Sequence, residues 1–168
     1  LQKEFIGATG NRALSDDGLY VASIHKALSS YKNFIKFKRD LRYQVVLEHC
    51  TYELGQGYLQ IIKTQSPQLI QKIDIFKEND LVGGATTFKY QDIGEISPST
   101  LRYIKVASDI KNIFGEIIGD RIAEIGVGYG GQLLTADKVL KFKQWDFFDL
   151  PPVLALASKY IECHTLSS

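Results

Sequence analysis

Arg121-Ile-Ala-Glu-Ile-Gly-Val-Gly-Tyr-Gly-Gly-Gln132, followed by Lys143-Gln-Trp-Asp-Phe-Phe-Asp-Leu-Pro-Pro152, decides the fold of this chain. Arg121–Ile125 carries the β-branched and apolar residues of a short strand, and the glycine run after it forces a tight turn. Gly131–Leu140 has the apolar spacing of a helix. Lys143–Phe148 is a second strand that ends on the carboxylate of Asp149. Pro151-Pro152 opens a second helix ending near Ile161. This is the opening strand–helix–strand–helix of a nucleotide-binding α/β domain. In such a domain the turn comes close to the ligand and an acid takes the ribose hydroxyls. The motif begins at residue 124 of 168, so little chain remains to complete a sheet.

Upstream, the pattern is helical. Asp16 or Asp17 caps a helix to about Ser30, with Leu19, Ile24 and Leu28 on its apolar side. The stretch from Tyr31 to Arg42 and Tyr43 mixes basic and aromatic residues and reads as a solvated amphipathic helix. Residues 44–63 continue as helix, weakened at Gly55 and Gly57. Ser66-Pro67 starts another to about Asn79, burying Leu69, Ile70, Ile73 and Phe76. Gly83-Gly84 breaks the chain, and residues 86–90 form a short strand or extended arm. Ser97-Pro98 opens a further helix with Leu101, Ile104, Ile110, Ile113 and Phe114 on its buried face, ended by Gly115 and Gly119. The expected organisation is a helical region over 1–115 and the start of an α/β nucleotide-binding domain over 116–168.

Composition excludes several classes. The chain is 45% hydrophobic and 23% charged with a net charge of +1, which argues against nucleic acid as a partner. No apolar run is long enough to span a bilayer and no signal peptide opens the chain. Cys50 and Cys163 match no metal or redox spacing and read as reduced thiols, which suits the cytoplasm. His25, His49 and His164 have no paired ligand spacing, so no metal site is expected. The chain begins at Leu1 and has no methionine, so a fragment of a longer protein is expected.

Glycines 126, 128 and 131 satisfy G-x-G-x-x-G, and Asp149 lies 18 residues beyond Gly131. That arrangement suits NAD and S-adenosylmethionine alike. Glu124 separates them. A carboxylate at the end of the first strand repels a pyrophosphate but attracts the sulfonium and ammonium of S-adenosylmethionine. Glu124 also has the simpler reading of a solvent-facing strand end, and Asp149 that of a cap for the helix at Pro151. Leu150 is placed to pack on the adenine face, and Tyr129 either lines the pocket or packs the turn.

Three blocks carry a resemblance to a known group. They are Ser97-Pro-Ser-Thr-Leu-Arg-Tyr103, Glu124-Ile-Gly-Val-Gly-Tyr-Gly-Gly-Gln132 and Phe148-Asp-Leu-Pro151, with weaker likeness at Asn79-Asp80 and Glu48-His49. Together they resemble the putative sugar O-methyltransferases over roughly residues 40–163. Ser99 departs from that family's usual threonine. The resemblance implies a Rossmann-like catalytic domain of seven strands, of which two lie here, with S-adenosylmethionine as cofactor and a sugar hydroxyl as acceptor. It carries the first-strand acid onto Glu124, the turn onto Gly126, Gly128 and Gly130, and the ribose acid onto Asp149. Methyl transfer to a hydroxyl needs a positioned base. His49, with Glu48, is the candidate, both lying in a helix over the pocket, and Arg102 and Tyr103 are candidates to orient substrate or cofactor. A fragment of this length is expected to be inactive alone. An NAD-dependent oxidoreductase and a non-catalytic helical interaction module are the alternatives.

Overall fold

A computed structural model describes residues 18–115, 119 and 121–166. The architecture is mixed α/β, with two two-stranded sheets set among helices. In chain order the elements are α1 (Leu19–Leu28), α2 (Tyr31–Phe34), α3 (Leu41–Val46), α4 (Tyr52–Gln65), α5 (Pro67–Ile70), α6 (Ile73–Phe76), β1 (Phe88–Tyr90), β2 (Gly94–Ile96), α7 (Pro98–Phe114), β3 (Arg121–Ile125), α8 (Gly131–Ala136), β4 (Gln144–Phe148) and α9 (Pro151–Ile161). Single 3₁₀ turns cover Phe37–Arg39 and Lys77–Asp80.

Strands β3 and β4 pair in parallel, from Arg121 opposite Gln144 to Ile125 opposite Phe148. The Gly126 N–H extends this ladder by donating to Phe148 O at 2.9 Å. The two strand ends, and the residues just past them, therefore lie side by side. The expected strand at 86–90 is one arm of an antiparallel hairpin. Its other arm, β2, escaped the sequence reading because Gly94-Glu-Ile96 is too short to show alternation.

Two apolar cores hold these elements. One joins Tyr20 and Ile24 of α1, Phe37, Tyr43 of α3, Tyr129 of the glycine turn, and Val153, Leu156 and Tyr160 of α9. The other joins Leu59 and Ile62 of α4, Tyr90, Ile96, Leu101 and Ile104 of α7, and Ala136, Val139 and Leu140 after α8 begins. Both cores take residues from either side of position 115, so the boundary expected there is crossed by continuous packing.

Several expected elements differ. The cap at Asp16 or Asp17 lies outside the described residues. Gly18, at φ +79°, occupies the cap position of α1, and Leu19 is 37% exposed while Tyr20, Ile24 and Ala27 are buried. The single amphipathic helix over 31–43 is three short pieces. Ser30 caps the first through its side chain, and Asp40 caps α3 by accepting from Arg42 N. The helix expected over 66–79 is likewise α5, α6 and a 3₁₀ turn. Helix α4 begins only at Tyr52, capped by Thr51, so Glu48 and His49 lie in the connection before it and not in a helix. Gly55 does not weaken α4. A Cβ there would stand 2.0 Å from the Tyr90 hydroxyl, so glycine is what lets the hairpin close on the helix. Ile113 and Phe114 are 71% and 69% exposed, since α7 runs past the end of its core.

Helix α7 is fixed at its start by a clasp of polar groups. The Asp80 carboxylate accepts from Ser97 N at 2.7 Å, from Ser97 Oγ at 2.6 Å and from Thr100 Oγ1 at 2.7 Å. Asn79 Nδ2 donates to Thr100 Oγ1 at 2.7 Å and to the Tyr129 hydroxyl at 3.2 Å. The Tyr160 hydroxyl reaches both Asn79 O and Asn79 Oδ1 at 2.8 Å. Asp80→Ala would leave three donors without their acceptor. Hydrogen bonds to a charged group contribute about 1.5–3 kcal/mol each and are not additive. We expect a loss of roughly 3 kcal/mol, measured as a lower urea midpoint with an unchanged slope.

Candidate functional site

The glycine turn follows from the backbone geometry of β3. Gly126, Gly128 and Gly130 all have positive φ (+79°, +56° and +87°), a region that side chains with a Cβ rarely adopt. The turn closes by Gly130 N donating to Val127 O at 3.0 Å, and α8 begins at once. Gly131 is required for contact: a Cβ there would meet the Tyr129 ring at 2.6 Å and Asn79 Oδ1 and the Tyr103 ring at 2.8 Å. Space over Gly126 is open, with nothing within 4 Å of a Cβ built there. Gly128 is covered by Leu47, whose Cδ1 lies 2.7 Å from the corresponding position.

Asp149 stands beside this turn at the end of β4. Its Oδ2 accepts from Gly128 N at 3.4 Å and its Oδ1 from Leu150 N at 2.7 Å. The carboxylate thus ties the turn to the start of α9, whose first residue is Pro151. Leu150 is 41% exposed next to it. Glu124 sits at the end of β3 and accepts from Trp145 Nε1 at 2.9 Å. Burial pushes its carboxyl up to about 7; the Trp145 hydrogen bond opposes the shift and the Asp149 charge adds to it.

Glu124, Arg102, Tyr103, Gln132 and Trp145 share a groove of about 410 Å³ between α7 and the face of β3. Arg102 lies over the Tyr103 ring at 5.2 Å from its centre, and Gln132 Nε2 donates to Tyr103 O. The structure therefore brings Glu124, Arg102 and Tyr103 together, and sets Gly126, Gly128, Asp149 and Leu150 on the adjoining strand tips. Tyr129 is apart from both groups. It is fully buried, edge-on to Tyr160 and Phe37, so its side chain packs the turn and does not line open space.

His49 is exposed and outside any helix, whereas its neighbour Glu48 is drawn inward. Glu48 Oε2 accepts from Ser99 Oγ at 2.9 Å, and Oε1 is buried with no hydrogen-bond partner. Lys38 is a further functional-looking residue that the sequence did not single out. It is 1% exposed, donates to Asn79 O at 2.6 Å, and lies over the Tyr129 ring at 4.1 Å and the Tyr160 ring at 4.9 Å. Burial lowers its ammonium to about 8, against the opposing pull of Glu48 and Asp80. No sequence signal marks it, because its partners lie 41 and more positions away. Among the described residues no group of His, Cys, Asp or Glu could hold a metal, and no helix is long and apolar enough to cross a membrane.

No protein-family model, curated protein or solved structure matches this chain.

The Glu124 carboxyl is raised above the ordinary glutamate value, so the unfolded chain loses its proton first. Stability should fall as pH rises between about 4.5 and 7 and level off above. Glu124→Gln keeps an acceptor for Trp145 and should remove that slope. The variant is expected to gain about 2 kcal/mol over wild type above pH 7, read from urea unfolding across this range.

Proposed function

We propose that this chain carries the cofactor-binding part of an S-adenosylmethionine-dependent O-methyltransferase that acts on a sugar hydroxyl. One observation carries the reading: two carboxylates, Glu124 and Asp149, stand on the neighbouring ends of paired parallel strands, with a glycine turn and open space over Gly126 between them. Two carboxylates suit a ligand with two positive groups and a ribose diol, and oppose a pyrophosphate. In a Rossmann-like domain these positions are the strand ends over which an adenosine cofactor lies.

Each residue has a part in this proposal. Asp149 accepts the ribose hydroxyls, exchanging its present N–H donors in part for ligand. Glu124 attracts the cationic end. Gly126 and Gly128 allow the backbone to approach, and Leu150 packs on the adenine. Arg102 and Tyr103, on the groove side, orient the ligand or the acceptor. Tyr129 and Gly130 hold the turn's shape from below, Tyr129 through Asn79 and Gly130 through the start of α8. When bound, the cofactor supplies a methyl group activated by its positive sulfur. Leu47 must yield over Gly128, and a leucine side chain does so by rotation.

The proposed acceptor is a small sugar or glycan, with no nucleic-acid partner. Of the basic stretch 31–43, Lys38 is buried and Arg42 pairs with Asp40, while Lys32, Lys36 and Arg39 are exposed; the near-balanced net charge of +1 is what argues against a polyanion. Cys50 and Cys163 are both free thiols, and we place the protein in the cytoplasm. The NAD-dependent alternative rests on the same glycines and Asp149, and differs in the charge that Glu124 must face.

Calorimetric titration with S-adenosylhomocysteine and with NAD separates the two. We expect binding of S-adenosylhomocysteine alone, weakened about ten- to a hundredfold by Asp149→Ala. Its affinity should rise with pH as Glu124 ionises near 7, and Glu124→Gln should flatten that rise. NAD binding that weakens over the same range would establish the dinucleotide reading. Binding of neither ligand would leave a helical module without this cofactor.

A further inference from the structure

The basic stretch 31–43 has no part in the strand-end site, yet charge is concentrated there. Across residues 18–47 the single carboxylate is Asp40, against Lys26, Lys32, Lys36, Lys38, Arg39 and Arg42. Part of this local excess converges on a cavity of about 190 Å³ between α1 and the turn Phe37–Arg39. Ser23, Lys26, Lys36, Phe37, Arg39 and Asp40 are among its lining residues.

The walls are fixed by packing. Ser23 and Phe37 are each 2% exposed, and Ser23 Oγ donates to Tyr20 O at 2.6 Å. The segment carrying Lys36 and Arg39 is held by the glycine pair at 83–84. Lys38 N donates to Gly83 O at 3.0 Å, and Arg39 Nε to Gly84 O at 2.9 Å. Gly84 has φ +72°, and a Cβ there would stand 3.2 Å from both Ile35 O and Lys36 Cα, so the two backbones meet at glycine distance. Gly84 O thus holds the Arg39 guanidinium at Nε. Its terminal amino groups have no hydrogen-bond or ion-pair partner among the described residues, and neither has the Lys36 ammonium.

Asp40 does not cancel these charges. Its carboxylate is taken by Lys26 Nζ at 2.8 Å and by Arg42 Nε and Nη2, each at 3.2 Å. Burial works against its ionisation, yet the hydrogen bonds from Arg42 and Lys26 hold the carboxyl down to about 2, so it stays charged and paired. Lys36 and Arg39 remain as two uncompensated cations on one cavity. Two such cations match a dianion. The guanidinium fork takes a pair of oxygens side by side, and the ammonium takes another as a point charge. A carboxylate brings a single charge and a flat pair of oxygens, which leaves one cation unmatched. A phosphate brings two charges on tetrahedral oxygens. The volume equals that of about six waters, which suits a phosphate group and the first carbon it esterifies.

We propose that this cavity binds a phosphate dianion of a small soluble molecule, through Arg39 and Lys36. It shares no lining residue with the groove at Glu124, so the site does not depend on the methyltransferase reading.

NMR titration of this chain, followed on its backbone amides, tests the site without turnover. The probes are glucose 6-phosphate, orthophosphate, glucose, glucuronate and glycerophosphocholine, the last a singly charged diester. They are used at about pH 7.5, above the second ionisation of a phosphate ester at about 6. We expect both dianions to shift the amide resonances of Lys36, Phe37 and Arg39. Glucose and the diester should leave them unmoved, and glucuronate should bind about tenfold more weakly or worse. Arg39→Gln and Lys36→Gln should each weaken the dianions about tenfold or more. Lys36 is exposed and unpaired, so Lys36→Gln reads the site even if Arg39→Gln loosens the contact with Gly84. Tighter binding of glucose 6-phosphate than of orthophosphate assigns a monoester as the source, and the reverse assigns free phosphate.

Failure of both dianions to bind overturns the proposal. So do shifts that fall away from the cavity or that persist unchanged in both variants. Glucuronate or the diester bound as tightly as the dianions overturns the phosphate assignment. Binding confined to RNA or to phosphatidylserine vesicles also overturns it and turns this face into a polyanion surface.

Discussion

The carboxylate of Asp80 and the side chain of Asn79 are the constraint on which the rest of the structure depends. Asp80 holds the first turn of α7 through Ser97 and Thr100, and Asn79 reaches the glycine turn through Tyr129 and α9 through Tyr160. Three segments far apart in sequence thus meet on two adjacent residues. Each buried polar atom in the clasp has a partner, so the network rigidifies its surroundings at no cost in unsatisfied groups. Lys38 completes it by donating to Asn79 O from below two aromatic rings. A buried cation is expensive on its own, and the ring faces together with Glu48 and Asp80 offset part of that cost.

This clasp explains how the candidate site is kept in shape. The glycine turn has no side chains of its own to pack, apart from Val127 and Tyr129, which point into the core. Its conformation is set from below by Tyr129 on Asn79 and from the side by Asp149 on Gly128. Above it, Leu47, just past the end of α3, covers Gly128. The helical segments therefore support the turn, since residues of α1, α3 and α9 share one core with Tyr129. Two carboxyls, Glu124 at the end of β3 and Glu48 after α3, are raised by burial.

How much of this was legible depended on the range of the interactions involved. Strand β3 at Arg121–Ile125 and helix α9 from Pro151 to Ile161 read directly from the sequence, because a glycine turn and a Pro-Pro start are local signals. The same holds for α7, where Ser97 caps through its own side chain and Pro98 sits in the first turn. The stretch 31–43 misled for the opposite reason. Its basic and aromatic spacing fits an amphipathic helix, yet Phe37 and Lys38 are pulled into the core by Tyr129, Tyr160 and Asn79. The chain must break at Lys36 and Asp40 to allow it. Ile113 and Phe114 followed the helical period of α7 but extend beyond the described residues that pack against it.

By itself the sequence determined much of the local geometry: where the backbone turns at its glycines, that Ser97 caps α7, and that Glu124 and Asp149 each stand at a strand end. Those features arise within a few residues, from glycine's freedom at positive φ, from proline's fixed φ and from side chains that reach the nearest N–H. Only the tertiary structure decided which polar groups are buried together. Glu48 rather than His49 turns inward, Tyr129 leaves the open side of the turn, and Lys38 enters an aromatic cage. These outcomes depend on partners from 41 positions away (Lys38 and Asn79) to 122 (Lys38 and Tyr160), whose approach is governed by the packing of two cores and not by any pattern in the neighbouring chain.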